Sequence, residues 1–273
     1  MVGKINVTAE MIAKYEHRAR RVHSLLCVGL DSSHERLPER FKQADLPQFA
    51  FNQWIIEQTQ ALTAAYKCNI AFYEEQGETG IRALQETVAF LREQHPDILT
   101  ICDAKRGDID STNAAYANAI FDGYGFDAVT LHPYTGQEGL APFLQRTDRA
   151  CIILCRTSNP GAGEFQDLEV GGRPLWQAIA ERVATAWNAH GNCMLVIGAT
   201  YPDELRRVRE IVGDMTLLIP GIGTQGGEVA EVIAAGLNSE GLGLIVNASR
   251  SVIFADNPAA AARALRDEIN TYR

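Results

Sequence analysis

Charged side chains of both signs cluster at the end of one mostly apolar run, in the segment Asp103-Ala-Lys105-Arg-Gly-Asp108. Residues two apart on a strand point to the same side, so Asp103 and Lys105 are expected to share the inner face of a sheet. Burying a carboxylate and an ammonium costs several kcal/mol per ion unless the two pair well. The pair is therefore either a structural salt bridge at a strand end or part of a reactive site.

A second lysine, Lys67, lies between apolar neighbours in the run AAYKCNIAF. It either turns outward to solvent or adds a charge to the same site. Asp31 ends the run VGLD, where an aspartate often caps the following helix. His132, in LHPY, is interpreted as a hydrogen-bonded structural residue, and the sequence contains no His/Cys cluster with zinc spacing.

Two glycine-containing loops offer backbone donors to an anion. One contains Gly223, Gln225 and Gly226, and the other runs from Asn247 to Arg250. Glycines let backbone N–H groups approach an anion, and an arginine adds a bidentate contact. Either loop alone is explained by tight turns, whereas both together favour a phosphate site.

Eight short apolar runs, continuous rather than alternating, predict strands buried on both faces. Helical patterns separate most of the runs, which indicates parallel strands. We therefore predict an α/β fold, a single (β/α)8 TIM barrel domain spanning residues 1–273. A helix at about 8–23 is expected to cover the barrel bottom, and 158–174 is the longest irregular stretch. The runs cover 25–31, 66–72, 99–105, 127–132, 150–156, 194–199, 216–223 and 242–249.

The composition narrows the functional classes. The chain has 273 residues and a formal net charge of −9, which disfavours nucleic acid as a partner. No apolar run approaches the roughly 20 residues that span a bilayer. Six cysteines without a CxxC pair fit a reducing compartment, so the expected location is cytoplasmic.

Several motifs in order resemble the longer bacterial subgroup of the orotidine 5'-monophosphate decarboxylase family. The resemblance implies a phosphate-binding barrel that acts on a nucleotide without metal or organic cofactor. One departure is Cys68, where the subgroup typically has proline after the lysine. The motifs are VGLDSS, KCNIAFYE, DAKRGDIDST, LHPYTG, RTSNPGAGEFQ, PGIGTQGG and NASRSVIFA.

The same resemblance implies roles for individual residues. Lys105 protonates C6 as carbon dioxide leaves, and Asp103 lies against the substrate carboxylate. Asp108 and Thr112 are expected to reach the site from the partner subunit of a homodimer. The implied catalytic residues are Lys67, Asp103, Lys105 and Asp108. The implied substrate contacts are Asp31, Thr112, Ser158, Gln225 and Arg250.

Two other functions compete with this prediction. Related decarboxylases and synthases of sugar phosphates also carry a DxKxxD strand, but use it around Mg²⁺ and an enediolate. The flanking RGDIDST, the SNPG segment and the full length argue against them. A non-catalytic nucleotide-binding barrel is disfavoured because a mere binder gains nothing from buried charges in this arrangement.

Overall fold

The computed structural model describes residues 9–200, 202–222 and 229–273. In these ranges eight parallel strands close into a barrel, as predicted. The barrel strands are β1 Leu26–Gly29, β2 Ala65–Asn69, β3 Leu99–Arg106, β4 Ala128–Leu131, β5 Ala150–Arg156, β8 Cys193–Ile197, β9 Leu217–Pro220 and β10 Leu244–Ala248. Neighbouring strands pair in the order β1-β10-β9-β8-β5-β4-β3-β2.

The segment 158–174 has secondary structure of its own, so the expectation of an irregular loop is wrong. It contains the 3₁₀ turn Pro160–Ala162, a helical turn over Gly163–Gln166, and the antiparallel pair β6 Glu169–Val170 and β7 Arg173–Pro174. Gly171 and Gly172 join β6 to β7 with φ values of 61° and 80°. Two positive φ angles in a two-residue turn match the twist of a hairpin, a local preference that apolar periodicity does not reveal.

Helices surround the barrel and connect most of its strands. The α-helices are α1 Glu10–Val22, α2 Glu39–Lys42, α3 Pro47–Thr59, α4 Ala71–Glu74, α5 Gly77–Gln94, α6 Asp110–Ala117, α7 Gly136–Gly139, α8 Ala141–Leu144, α9 Gly163–Gln166, α10 Leu175–Arg182, α11 Pro202–Val212, α12 Val229–Gly236, α13 Arg250–Ile253 and α14 Pro258–Thr271. Two π-helical turns, Asn118–Gly123 and Val183–Trp187, extend α6 and α10.

Helix α1 covers the bottom of the barrel, as the sequence predicted. The Tyr15 hydroxyl donates to the carbonyl of Leu244, the first residue of β10. Lys14 Nζ lies 2.8 Å from Asp127 Oδ2, just before β4. Because these contacts reach the start of the strands, the opposite, carboxyl end of the barrel stays open.

The strands carry apolar side chains on both faces. All seven residues of β5 and all five of β8 are buried. A polar side chain on such a strand has no access to solvent and must find a partner inside the protein. Near the carboxyl ends of β2, β3 and β4, polar residues replace the apolar ones, and these residues build the site.

Candidate active site

A two-lobed cleft opens at the carboxyl ends of the barrel strands. One lobe, of about 220 Å³, is called the polar lobe; its lining includes Asp31, Asn69, Ser249 and Arg250. The other, of about 210 Å³, is called the apolar lobe; its lining includes Lys105, Thr130, Leu154, Val196 and Leu218. Lys67, Asp103, Ser158 and Pro220 line both lobes. Active sites of such barrels lie at this end.

Lys67 is a buried cation held by two carboxylates, and it does not turn outward to solvent. The residue is 3% exposed, and its Nζ lies 3.1 Å from Asp103 Oδ2 and 3.6 Å from Asp31 Oδ1. Burial by itself would lower the pKa of Lys67, but the two carboxylates outweigh it and raise the pKa above its ordinary value. Lys67 therefore keeps its charge without solvent.

Asp103 lies between two lysines. Its Oδ1 accepts a hydrogen bond from Lys105 Nζ at 2.7 Å and another from the Thr130 hydroxyl at 2.9 Å. Burial by itself would raise the pKa of Asp103, but Lys67, Lys105 and the Thr130 hydrogen bond outweigh it and hold the pKa well below its usual range. A row of alternating charge is thus fixed before any ligand arrives.

The backbone of β3 does not follow regular strand geometry where it carries these charges. The pairing of β3 with β4 shifts register between Cys102 and Arg106. Lys105 has a φ of 46°, in the left-handed region, which costs a non-glycine residue about 1–2 kcal/mol. Asp103 and Lys105 do meet, as predicted, but through this irregularity rather than through simple strand alternation.

Three predicted contact residues line the polar lobe. Asp31 follows β1 and accepts the Asn69 N–H at 3.3 Å. Ser158 follows β5, and Arg250 begins α13 after β10. Gln225 lies outside the described residues.

Ser158 packs closely against the backbone after β8. A Cβ added at Gly198 would lie 2.8 Å from Ser158 Cβ and 3.0 Å from Ser158 N, closer than real Cβ atoms approach. Gly198 therefore leaves the space in which Ser158 sits over the cleft.

Asp108 and Thr112 lie outside the cleft of this single chain. Both residues are exposed and line neither lobe. The Asp108 carboxylate accepts the backbone N–H of Ile109 at 2.8 Å. The chain by itself thus brings together Lys67, Asp103 and Lys105, but not the fourth predicted charge.

Sequence reasoning missed several polar residues of the cleft. Asn69 is two positions after Lys67 on β2, and strand periodicity predicts that both share a face. Thr130 interrupts the apolar run AVTL of β4. Ser249 donates to the Gly29 carbonyl at 2.9 Å and so ties β10 to β1. For the two strand residues, Asn69 and Thr130, the signal in the sequence is a polar residue within a run that is otherwise buried on both faces.

His132 lies beside the cleft in a further cavity of about 680 Å³, which Lys105 and Tyr134 also line. Burial and the nearby Lys105 charge lower the pKa of His132, so it is neutral at pH 7.

Over 9–200, 202–222 and 229–273, no group of three His, Cys, Asp or Glu side chains has the arrangement of a metal site. In the same ranges no helix is long and apolar enough to cross a bilayer.

Residues 24–265 match the orotidine 5'-phosphate decarboxylase / HUMPS family. The chain belongs to this family. It is 46% identical over 260 residues to orotidine 5'-phosphate decarboxylase of Cellvibrio japonicus, covering 92% of this chain and 94% of the relative. The corresponding protein of Thermomicrobium roseum is 48% identical over 270 residues, covering 95% of each chain.

Solved structures agree with the sequence comparison. The structure of Leishmania donovani OMP decarboxylase superimposes with a TM-score of 0.86 at 40% identity, covering 96% of this chain and 98% of the other. The Methanocaldococcus jannaschii enzyme, solved with the inhibitor BMP, has a TM-score of 0.68 at 20% identity, covering 90% of this chain and 98% of the other. The second likeness shows the shared barrel fold.

Proposed function

We propose that this chain is a carboxy-lyase that converts orotidine 5'-monophosphate to uridine 5'-monophosphate in pyrimidine synthesis. The observation that carries the proposal is the row Lys67–Asp103–Lys105, with successive N–O distances of 3.1 and 2.7 Å, which runs from a buried lysine to a partly exposed one. The orotidine 5'-phosphate decarboxylases that are 46% and 48% identical to this chain indicate the substrate, and the row provides fixed charges beside the atoms where the reaction creates charge.

The chemistry needs electrostatic stabilisation rather than an electron sink. The bond between C6 and the carboxylate breaks, carbon dioxide leaves, and the electron pair stays on C6. A proton moves from Lys105 Nζ to C6, and the neutral amine regains a proton from solvent. Preorganised charges stabilise such an anion without reorganisation in the transition state. We propose that Asp103, which its two lysines hold ionised, repels the substrate carboxylate before carbon dioxide leaves.

The two lobes divide the nucleotide between them. The apolar lobe suits a pyrimidine ring beside Lys105, because its wall includes the apolar side chains of Leu154, Val196 and Leu218. Asp31 and Lys67, which line the polar lobe, are proposed to contact the ribose, and Arg250 is proposed to contact the phosphate. Gln225, the other predicted phosphate contact, lies outside the described residues. Ser158 borders both lobes and links the 158–174 segment to the ring.

We propose a homodimer in which Asp108 and Thr112 complete the partner's site. Two large apolar side chains, one within this segment and one in the loop after β4, are exposed: Ile109 is 52% exposed and Tyr134 is 97% exposed. Lys105 lines both the apolar lobe of the cleft and the neighbouring 680 Å³ cavity. This cavity offers room for a segment of a second copy to approach Lys105. Two-fold dimers are the commonest assembly.

The decisive experiment follows the orotate absorbance after purified protein is mixed with orotidine 5'-monophosphate and excess chelator. We expect full activity, because the proposed chemistry uses no metal or organic cofactor. Lys105→Ala should abolish turnover and leave the fold intact. Activity that chelator removes and Mg²⁺ restores would favour the enediolate chemistry instead.

Shared sites have their own test. Lys105→Ala and Asp108→Ala proteins, each inactive, should regain activity when their subunits exchange, because each mixed dimer has one intact site. Demonstrated exchange without activity would contradict the shared-site dimer.

We also propose a single barrel domain and a cytoplasmic location. The continuous hydrophobic core of the described residues, from Met11 to Ile269, supports the single domain. The six cysteines, all buried and none in a disulfide, support the location.

A further inference from the structure

Strand β3 departs from regular geometry at the residues that carry the proposed chemistry. Its register with β4 shifts between Cys102 and Arg106, and Lys105 adopts a positive φ of 46°. A lysine holds a left-handed conformation only when its surroundings determine it. The neighbouring strand must therefore supply a contact that fixes Lys105.

Thr130 of β4 supplies that contact. The residue is 1% exposed, and its hydroxyl oxygen accepts the Lys105 backbone N–H at 3.0 Å. The same hydroxyl donates to Asp103 Oδ1 at 2.9 Å. One hydroxyl can accept and donate at once. Because Asp103 Oδ1 also accepts from Lys105 Nζ, the three residues close a ring that joins the Lys105 backbone to its own ammonium.

We infer that Thr130 is a positioning residue for decarboxylation, which fixes Lys105 and Asp103 in their reactive arrangement. The inference rests on the roles proposed above for Asp103 and Lys105. Without the hydroxyl, the Lys105 N–H loses its partner and the left-handed backbone loses the contact that holds it. Relaxation to an extended backbone would turn the ammonium away from C6, and a misplacement of about 1 Å can cost on the order of 100-fold in rate.

Threonine suits this position better than residues of similar size. Its χ1 angle is restricted because the side chain is β-branched, which fixes the direction of the hydroxyl. Thr130 also lines the apolar lobe, as Leu154 does. Valine keeps this shape without the hydroxyl, and serine keeps the hydroxyl without the methyl group.

The test compares kcat and KM for Thr130→Val and Thr130→Ser. We expect Thr130→Val to lower kcat on the order of 100-fold, and to change KM less than about threefold because the phosphate contacts proposed for Arg250 are untouched. Thr130→Ser should recover kcat to within about fivefold of wild type, since it restores both hydrogen bonds.

Thr100→Val is the matched control. Thr100 lies on β3, is 1% exposed, and its hydroxyl donates to Asp127 Oδ2 at 3.0 Å, at the opposite end of the barrel. The control removes the same kind of buried Thr–Asp hydrogen bond. It should lower the unfolding midpoint by an amount similar to Thr130→Val and leave kcat unchanged.

Two results would overturn the inference: a folded Thr130→Val protein with kcat within twofold of wild type, or a Thr130→Ser protein as slow as Thr130→Val. If Thr130→Val does not fold, Thr130→Ala serves the same comparison. Lys105→Ala distinguishes a failure of the proposed function from a failure of the positioning role alone. Normal turnover in that variant refutes the proposed proton donor, whereas an inactive Lys105→Ala beside a normal Thr130→Val refutes only the positioning role.

Discussion

Replacing Lys67 with methionine tests whether the charges of the cleft are held by one another. Lys67 is 3% exposed and lies 3.1 Å from Asp103 and 3.6 Å from Asp31. Methionine is similar in length and removes only the charge and its hydrogen bonds. Removing one partner of a buried pair costs about 3–5 kcal/mol where the remaining charge is left without compensation. Lys105 compensates Asp103 only in part, because the Lys105 side chain is 45% exposed. We expect a loss of that size in the free energy of unfolding at pH 7.5.

The prediction also says in which direction the stability loss changes with pH. Wild-type Asp103 has a lowered pKa, so its contribution to stability is present above its unfolded pKa and is lost only as pH falls through the folded value. Lys67 has a raised pKa and contributes fully at pH 7.5, below its ordinary pKa. In the variant, only Lys105 and the Thr130 hydrogen bond counteract the effect of burial on Asp103, so the pKa of Asp103 rises. The difference in the free energy of unfolding between the wild type and Lys67→Met should therefore be smaller at pH 4.5 than at pH 7.5.

Urea unfolding at both pH values, with kcat/KM measured in parallel, checks the prediction. Lys14→Met is the matched control, because Lys14 Nζ pairs with Asp127 Oδ2 at 2.8 Å at the barrel bottom. It should destabilise the fold and leave kcat/KM unchanged, whereas Lys67→Met should lose nearly all activity. A destabilisation below about 1 kcal/mol, or a difference that does not narrow at low pH, would refute the reasoning.

Three further predictions follow from the site. Arg250→Ala should lower kcat/KM roughly 150-fold, equivalent to about 3 kcal/mol of lost transition-state stabilisation, because it removes the charge-assisted contact proposed between Arg250 and the phosphate; an unchanged kcat with a raised KM would mean uniform binding. Gly198→Ala should push Ser158 from its place and lower kcat/KM about tenfold, whereas Gly123→Ala, whose added Cβ meets its nearest atom only at 3.7 Å, should not. Cys68→Ala should leave the pH–rate profile unchanged, because burial raises the pKa of this thiol to about 12; complete inactivation of a folded variant would contradict this.

Much of the fold and part of the site follow from the sequence alone. The eight strands can be predicted because burial on both faces requires continuous apolar runs, such as the seven buried residues of β5. Lys67, Asp103 and Lys105 stand out because charge is costly inside such runs. The cap of the last helix is local too: Asn257 accepts the Ala260 N–H at 3.0 Å, one turn away.

The tertiary structure decided how these residues meet. The register shift of β3 and the left-handed Lys105 arise from pairing with β4, and Thr130, 25 positions further along the chain, holds them. A sequence pattern records the burial of each residue along its own strand, but not the register between two strands. The folded barrel, not the DxKxxD spacing, therefore brings the Lys105 ammonium to 2.7 Å from Asp103.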